Sequence, residues 1–163
     1  MKTEIVQLSN ELVELLRSKG YTFATAESCT GGAVASAITR VAGCSDVMLG
    51  GVVAYHNNIK RMMLGVSETT LLEYGAVSEA VIREMVAGVA ERFGADCAVA
   101  TSGVAGPGGG TPEKPVGTVW VAVKVGGNVA VNLLSLGDNG RDANIDRTVF
   151  EVLQMVLETV AVG

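Results

Sequence analysis

The chain has 163 residues, a net charge of −5 at pH 7, 48% apolar and 18% charged residues, and 21 glycines. This length suits one domain over residues 1–163 with a core of its own, and this hydrophobicity excludes a disordered chain. The acidic balance argues against nucleic acid as a partner, although a nest of backbone N–H groups can still hold a phosphate on an acidic protein.

Three cysteines (Cys29, Cys44, Cys97) and a single histidine, His56, with no C-x-x-C, give neither a disulfide framework nor a metal site. They fit a reducing compartment. Met1-Lys2-Thr3-Glu4 begins without the apolar run of a leader, and no stretch is long and apolar enough for a membrane. A cytoplasmic protein without a membrane partner is expected.

In chain order, Ile5, Leu8, Leu12, Leu15 and Leu16 recur at helical spacing, so a helix is expected over Thr3–Lys19, capped by Thr3 and stopped at Gly20. Tyr21–Ala26 reads as a short strand, and a helical run of small residues follows the segment Glu27–Gly32 to about Val41. Val47–Tyr55 is a second strand, whose internal Gly50 and Gly51 mark a bulge or the close approach of another backbone. Short helical stretches follow at Asn57–Leu64 and after Ser67. Ser78 opens a stronger helix with Ile82, Met85, Val86, Val89 and Phe93 on one stripe.

Asp96–Ser102 is nearly all apolar and suits a buried central strand. The loop Gly103–Pro115 holds five of the glycines and all three prolines. Val116–Val125 and Val129–Leu136 predict a hairpin about Gly126-Gly127-Asn128. A last helix turns Ile145, Val149, Val152, Leu153, Val156, Leu157 and Val160 inward. Early alternation of helix and strand with a late hairpin predicts a three-layer α/β/α sandwich with a mixed, partly parallel sheet.

Three segments fall at or beyond the C-terminal ends of predicted strands, where open α/β sheets bind ligands: Ala26–Gly32, Ala54–Lys60 and Ser102–Gly110. Arg141–Arg147 is a fourth candidate. Ser28 stands where a strand turns into a glycine-led helix, so it reads either as a nucleophile near backbone N–H groups or as a helix cap. Cys29 is a rival nucleophile, and adjacent side chains there cannot both face one site.

Two bases are available. His56 has no acidic orienter at a recognisable spacing. Lys60 can accept a proton near neutral pH if its surroundings desolvate it, and Tyr55 could relay that proton or align the amine. The glycine loop lacks the Walker pattern but exceeds most connections in length, and its backbone can approach a phosphate. Lys114, Arg141 and Arg147 could add positive charge.

Taken together, A-E-S-C-T-G-G, Y-x-N-x-x-K (Tyr55, Asn57 or Asn58, Lys60), G-A-V-S (Gly75–Ser78), and G-x-A-G-P-G-G with K-P-V-G-T-V (Lys114–Val119) resemble the CinA C-terminal family. The likeness covers about Leu8 to Val156. It implies an amidase domain standing alone that hydrolyses nicotinamide mononucleotide to nicotinic acid mononucleotide and ammonia, without a cofactor. By resemblance, Ser28 is the nucleophile, Lys60 its base and Tyr55 its companion. Backbone N–H groups about Cys29, Thr30, Gly31 and Gly32 then face the oxyanion and substrate. Ser102, Gly103, Gly106 and Gly108 line the ribose-phosphate pocket, with Arg141 a ligand of phosphate or carboxamide.

The chain departs from the family's usual residues at Ser102, commonly threonine, at Cys44, commonly serine, and at His56, commonly small and polar. The competing reading is a binding or regulatory module that keeps the pocket without turnover. A free sheet edge and the apolar composition lead us to expect a homodimer.

Overall fold

The computed structural model describes residues 1–163. Helix α1 spans Lys2–Lys19 and buries Leu12, Val13 and Leu16. It starts one residue before the expected Thr3, with Met1 at the cap position and no side-chain cap, and it ends at Gly20. Strand β1 is Phe23–Glu27, later than expected at both ends. The Tyr21 N–H still closes the end of α1 onto the Leu16 carbonyl, and Thr22 is held by Asp96 through its N–H at 2.9 Å.

All five residues of β1 are buried, as in a central parallel strand. It pairs in parallel with β2 (Met48–Val53) on one side and β3 (Cys97–Gly103) on the other. Strands β4 (Thr118–Val125) and β5 (Asn128–Ser135) continue the sheet antiparallel, in the order β2-β1-β3-β4-β5. The hairpin turns at Gly126-Gly127 as expected. Its first strand begins at Thr118 because Gly117 is tied back to the Val104 carbonyl instead.

Five further helices complete the fold: α2 (Ala33–Thr39), α3 (Asn57–Leu64), α4 (Glu68–Tyr74), α5 (Glu79–Phe93) and α6 (Arg141–Val162). The pleat sends Phe23, Cys97, Val99, Val121 and Val123 to one face, where they form a core with residues of α1, α2 and α6. It sends Ala24, Ala26, Ala98, Ala100 and Ala122 to the other, under Ile82, Met85, Val86 and Val89 of α5. This is the three-layer α/β/α arrangement with a mixed sheet that the pattern predicts.

In α6, Val149, Val152, Leu153, Val156 and Val160 are buried, whereas Ile145 and Leu157 are only partly so. The buried positions of its first two turns go to Asn144 and Thr148.

Both glycines of β2 meet the expectation placed on them. The register with β1 slips between Met48 and Gly50, and a Cβ on Gly51 would lie 2.1 Å from Thr25 Oγ1. Strands β1, β2 and β3 end at one edge of the sheet. The chain leaves β1 toward β2 and leaves β3 toward β4, so a crevice opens between the ends of β1 and β3.

Helix α3 lies across α5 at closest range where its C-terminus meets Gly88. A Cβ there would stand 1.9 Å from the Leu64 carbonyl oxygen. Gly88→Ala is therefore expected to destabilise the protein by about 1–3 kcal/mol, the usual cost of overpacking a filled contact. Urea unfolding checks this, and an unchanged midpoint would mean that α3 can back away freely.

Candidate active site

The three loops beyond the ends of β1, β2 and β3 converge on Ser28. The loop after β2 delivers Lys60, on α3, whose Nζ lies 3.0 Å from Ser28 Oγ, 2.9 Å from the Ala54 carbonyl oxygen and 3.0 Å from that of Tyr55. Lys60 is 1% exposed, and all three of its partners are uncharged oxygens. Burial holds its amine below the ordinary lysine value of 10.5, with Cys29 pulling weakly the other way. Lys60 Nζ thus donates to two carbonyl oxygens and to the serine hydroxyl oxygen, three uncharged acceptors with no carboxylate among them.

Ser28 and Cys29 differ in what their side chains meet. Both are equally buried, at 8% and 7% exposure, but the Ser28 hydroxyl meets the amine, whereas burial pushes the Cys29 thiol up to about 12. His56 serves the backbone instead. It is the cap residue of α3, and its Nδ1 accepts the Asn58 N–H at 3.0 Å.

Ser28 is no helix cap. The second and third N–H groups of α2 are taken by Glu27, whose Oε1 accepts from Val34 N at 2.8 Å and whose Oε2 accepts from Ala35 N at 3.0 Å. The sequence reading passed over Glu27. The available signal was a helix led by Gly31-Gly32, which offers no side-chain acceptor of its own, so one had to come from outside. The turn between strand and helix leaves the N–H groups of Cys29, Thr30 and Gly32 without a hydrogen bond inside the chain, while that of Gly31 is spent on the Ser28 carbonyl.

Beside the dyad lies a cleft of about 290 Å³, lined among others by Cys29, Tyr55, Val77, Gly103 and Arg141. Gly106 and Gly108 also line it, and the N–H groups of Ala105, Gly106, Gly108, Gly109 and Gly110 make no hydrogen bond within the chain. Arg141, the first residue of α6, spans the rim: Nη1 donates to the Gly106 carbonyl at 2.8 Å and Nη2 to the Tyr55 hydroxyl at 2.6 Å.

Tyr55 thus meets Lys60 through its carbonyl, and its hydroxyl belongs to Arg141. Asn144, one turn further along α6 and also missed, fixes the loop by donating to the carbonyls of Ala105 at 3.1 Å and Gly137 at 2.9 Å.

Several other expected residues have their side chains engaged, or serve the backbone of the turn. Thr30 is buried, with its hydroxyl on Glu27 and Thr101. Ser102 is buried and donates to the Ala76 carbonyl at 2.9 Å. Gly31 and Gly32 form the turn at positive φ. Lys114 is tied to the Tyr74 carbonyl at 2.8 Å, and Arg147 pairs with Glu151 on the surface of α6.

Comparison with known proteins bears on this arrangement. The model of the CinA C-terminal domain matches residues 5–160. The nicotinamide-nucleotide amidohydrolase PncC of Escherichia coli is 46% identical over 86% of each chain. A CinA-like protein of Kosmotoga olearia is 51% identical over 80% of this chain but only 32% of its own, so the chain spans about a third of such longer relatives. The competence/damage inducible protein CihA of Agrobacterium tumefaciens superposes with a TM-score of 0.94 at 43% identity, over 97% of this chain and 96% of that one. The sequence match, the shared fold and the motifs that converge on Ser28 agree: this chain belongs to the CinA C-terminal domain family.

Proposed function

We propose that the chain hydrolyses the carboxamide of nicotinamide mononucleotide to nicotinic acid mononucleotide and ammonia, with Ser28 as nucleophile and Lys60 as its base. The observation that carries this reading is the buried amine 3.0 Å from the serine hydroxyl, with no carboxylate to keep it protonated. A relative of similar length named for nicotinamide-nucleotide hydrolysis supports the choice of substrate.

In this reading Lys60 takes the Ser28 proton as the serine oxygen attacks the carboxamide carbon. The oxyanion of the tetrahedral intermediate is met by the unspent N–H groups of Cys29 and Thr30. The Lys60 ammonium returns its proton to the leaving nitrogen, the C–N bond breaks, and ammonia departs from an ester on Ser28. Water then attacks the ester while Lys60 takes its proton. The new C–O bond forms as the bond to Ser28 breaks, and the serine recovers its hydrogen from Lys60. Arg141 and the free N–H groups of the glycine loop receive the phosphate and hold the ring end against Ser28.

The direct test is ammonia release from nicotinamide mononucleotide, with nicotinamide and NAD in parallel. Release from the mononucleotide alone is expected, since the loop must grip one terminal phosphate. Ser28→Ala should lower turnover by roughly 10³-fold or more while calorimetric affinity stays within about threefold. Tight binding without turnover in the unaltered protein would point to the regulatory module instead, and an active Ser28→Ala protein would put Cys29 in the nucleophile's place.

The dyad also fixes the sign of the pH dependence. Lys60 must be neutral to act, and burial lowers its value from 10.5, so kcat/KM should climb with pH and level off below 10.5. Lys60→Met should lose both the climb and most of the rate. A rising limb of the same position in that variant would remove Lys60 from the mechanism.

A further inference from the structure

Glu27 is 1% exposed and lies next to Ser28 in sequence, yet it touches neither Ser28 Oγ nor Lys60. The alternation of β1 explains this. Residues 23, 25 and 27 face the α2 side of the sheet, whereas Ser28 turns toward α3 on the other. Glu27 therefore works on the far side of the turn that carries the nucleophile.

Its Oε1 accepts the Thr30 hydroxyl at 2.6 Å as well as the Val34 N–H, and its Oε2 accepts the Ala35 N–H. The one hydroxyl hydrogen of Thr30 goes to Glu27, so Thr101 is the donor in the 2.7 Å contact between the two threonines. A continuous chain thus runs from the start of α2 through Glu27 and Thr30 to β3.

The backbone within that chain is pinned. Ser28 N bonds the Thr101 carbonyl at 2.9 Å, the Gly31 N–H bonds the Ser28 carbonyl at 3.0 Å, and the Ala33 N–H bonds the Thr30 carbonyl at 3.0 Å. What remains unspent in the turn are the N–H groups of Cys29, Thr30 and Gly32, of which the first two stand nearest the nucleophile in sequence.

We infer that Glu27 is a positioning residue for the reaction: through Thr30 it sets the direction of the Cys29 and Thr30 N–H groups that receive the developing oxyanion. This rests on the proposed amidase reading. A carboxylate is suited to the task because one side chain must accept three hydrogens at two oxygens, which a glutamine cannot do. The donors matter most once the charge has formed, so loosening them harms the transition state and spares substrate binding.

The test is Glu27→Gln in the full chain, with kcat expressed per Ser28 site that a fluorophosphonate probe labels, so that misfolded protein does not count. The expected result is a kcat lower by roughly ten- to a hundredfold, with KM within about threefold. Ser36→Gly, an exposed change within α2, should lower the melting temperature and leave kcat per labelled site unchanged. Thr30→Val, which leaves the two backbone bonds of Glu27 in place, should lower kcat in the same direction and serves if Glu27→Gln does not fold. A kcat within twofold of the unaltered protein in the variants that fold, or a fall matched by Ser36→Gly, overturns the inference.

The probe also separates the two readings. If the unaltered protein releases no ammonia from the mononucleotide, the substrate assignment fails. Slower labelling of Ser28 in Glu27→Gln would still uphold the positioning role, and equal labelling would end it.

Discussion

The structure is organised around an amine in a place where an ammonium is costly. Lys60 is among the largest fully buried side chains, at 1% exposure, and no acid compensates it. A buried charge of that kind is tolerated only with every hydrogen bonded, or with the proton given up. The chain supplies two backbone carbonyls and a hydroxyl, all uncharged, and the burial itself lowers the amine's pKa. That requirement explains the local architecture. The carbonyls of Ala54 and Tyr55 come from the segment immediately after β2, so the end of that strand and the first turns of α3 must hold their relative positions. His56 closes the connection by capping α3, and Gly88 lets the far end of the helix settle against α5.

Much of this was legible in the sequence because it rests on periodicity and punctuation. The stripe of Ile82, Met85, Val86 and Val89, the glycines that close α1 and α5, and the alternation in the hairpin each predict an element near its observed bounds. The alanines of β1 and β3 announce close helix packing. Boundaries moved where long-range partners intervened. Asp96 draws Thr22 out of β1, and Val104 draws Gly117 out of β4, and neither bond has a local sequence signature.

The site was legible as a set of segments more than as a set of contacts. Ser28 beside Lys60 follows from strand ends that share an edge, which topology guarantees for parallel neighbours. The direction of individual side chains does not follow from it. Thr30 and Ser102 carry hydroxyls at inviting positions and yet spend them on buried neighbours. Glu27 and Asn144 read as an ordinary strand-end acid and a helix amide. Each acquires its importance from a backbone that cannot satisfy itself, α2 in the first case and the glycine loop in the second. The free N–H groups of that loop, an asset toward a phosphate, leave it with little internal structure, so the amide of Asn144 stands in for the hydrogen bonds the loop does not make with itself.

The sheet divides the labour between its two faces. On the side of α3 stands the buried amine of Lys60 beside Ser28, and on the side of α2 stands the carboxylate of Glu27, bonded to the turn and the start of α2. The two kinds of group must be kept apart. A carboxylate in contact with Lys60 would hold the ammonium and raise its pKa, against the lowering that burial produces. Placed on the opposite face, the same carboxylate is occupied by two backbone N–H groups and a hydroxyl and leaves the amine alone. One residue of strand alternation, from Glu27 to Ser28, accomplishes the separation. A residue inserted between Glu27 and Ser28 would exchange the face that Glu27 occupies and bring acid and amine together. The order of these two adjacent residues at the end of β1 is thus a chemical constraint on the site, and no packing rule would impose it.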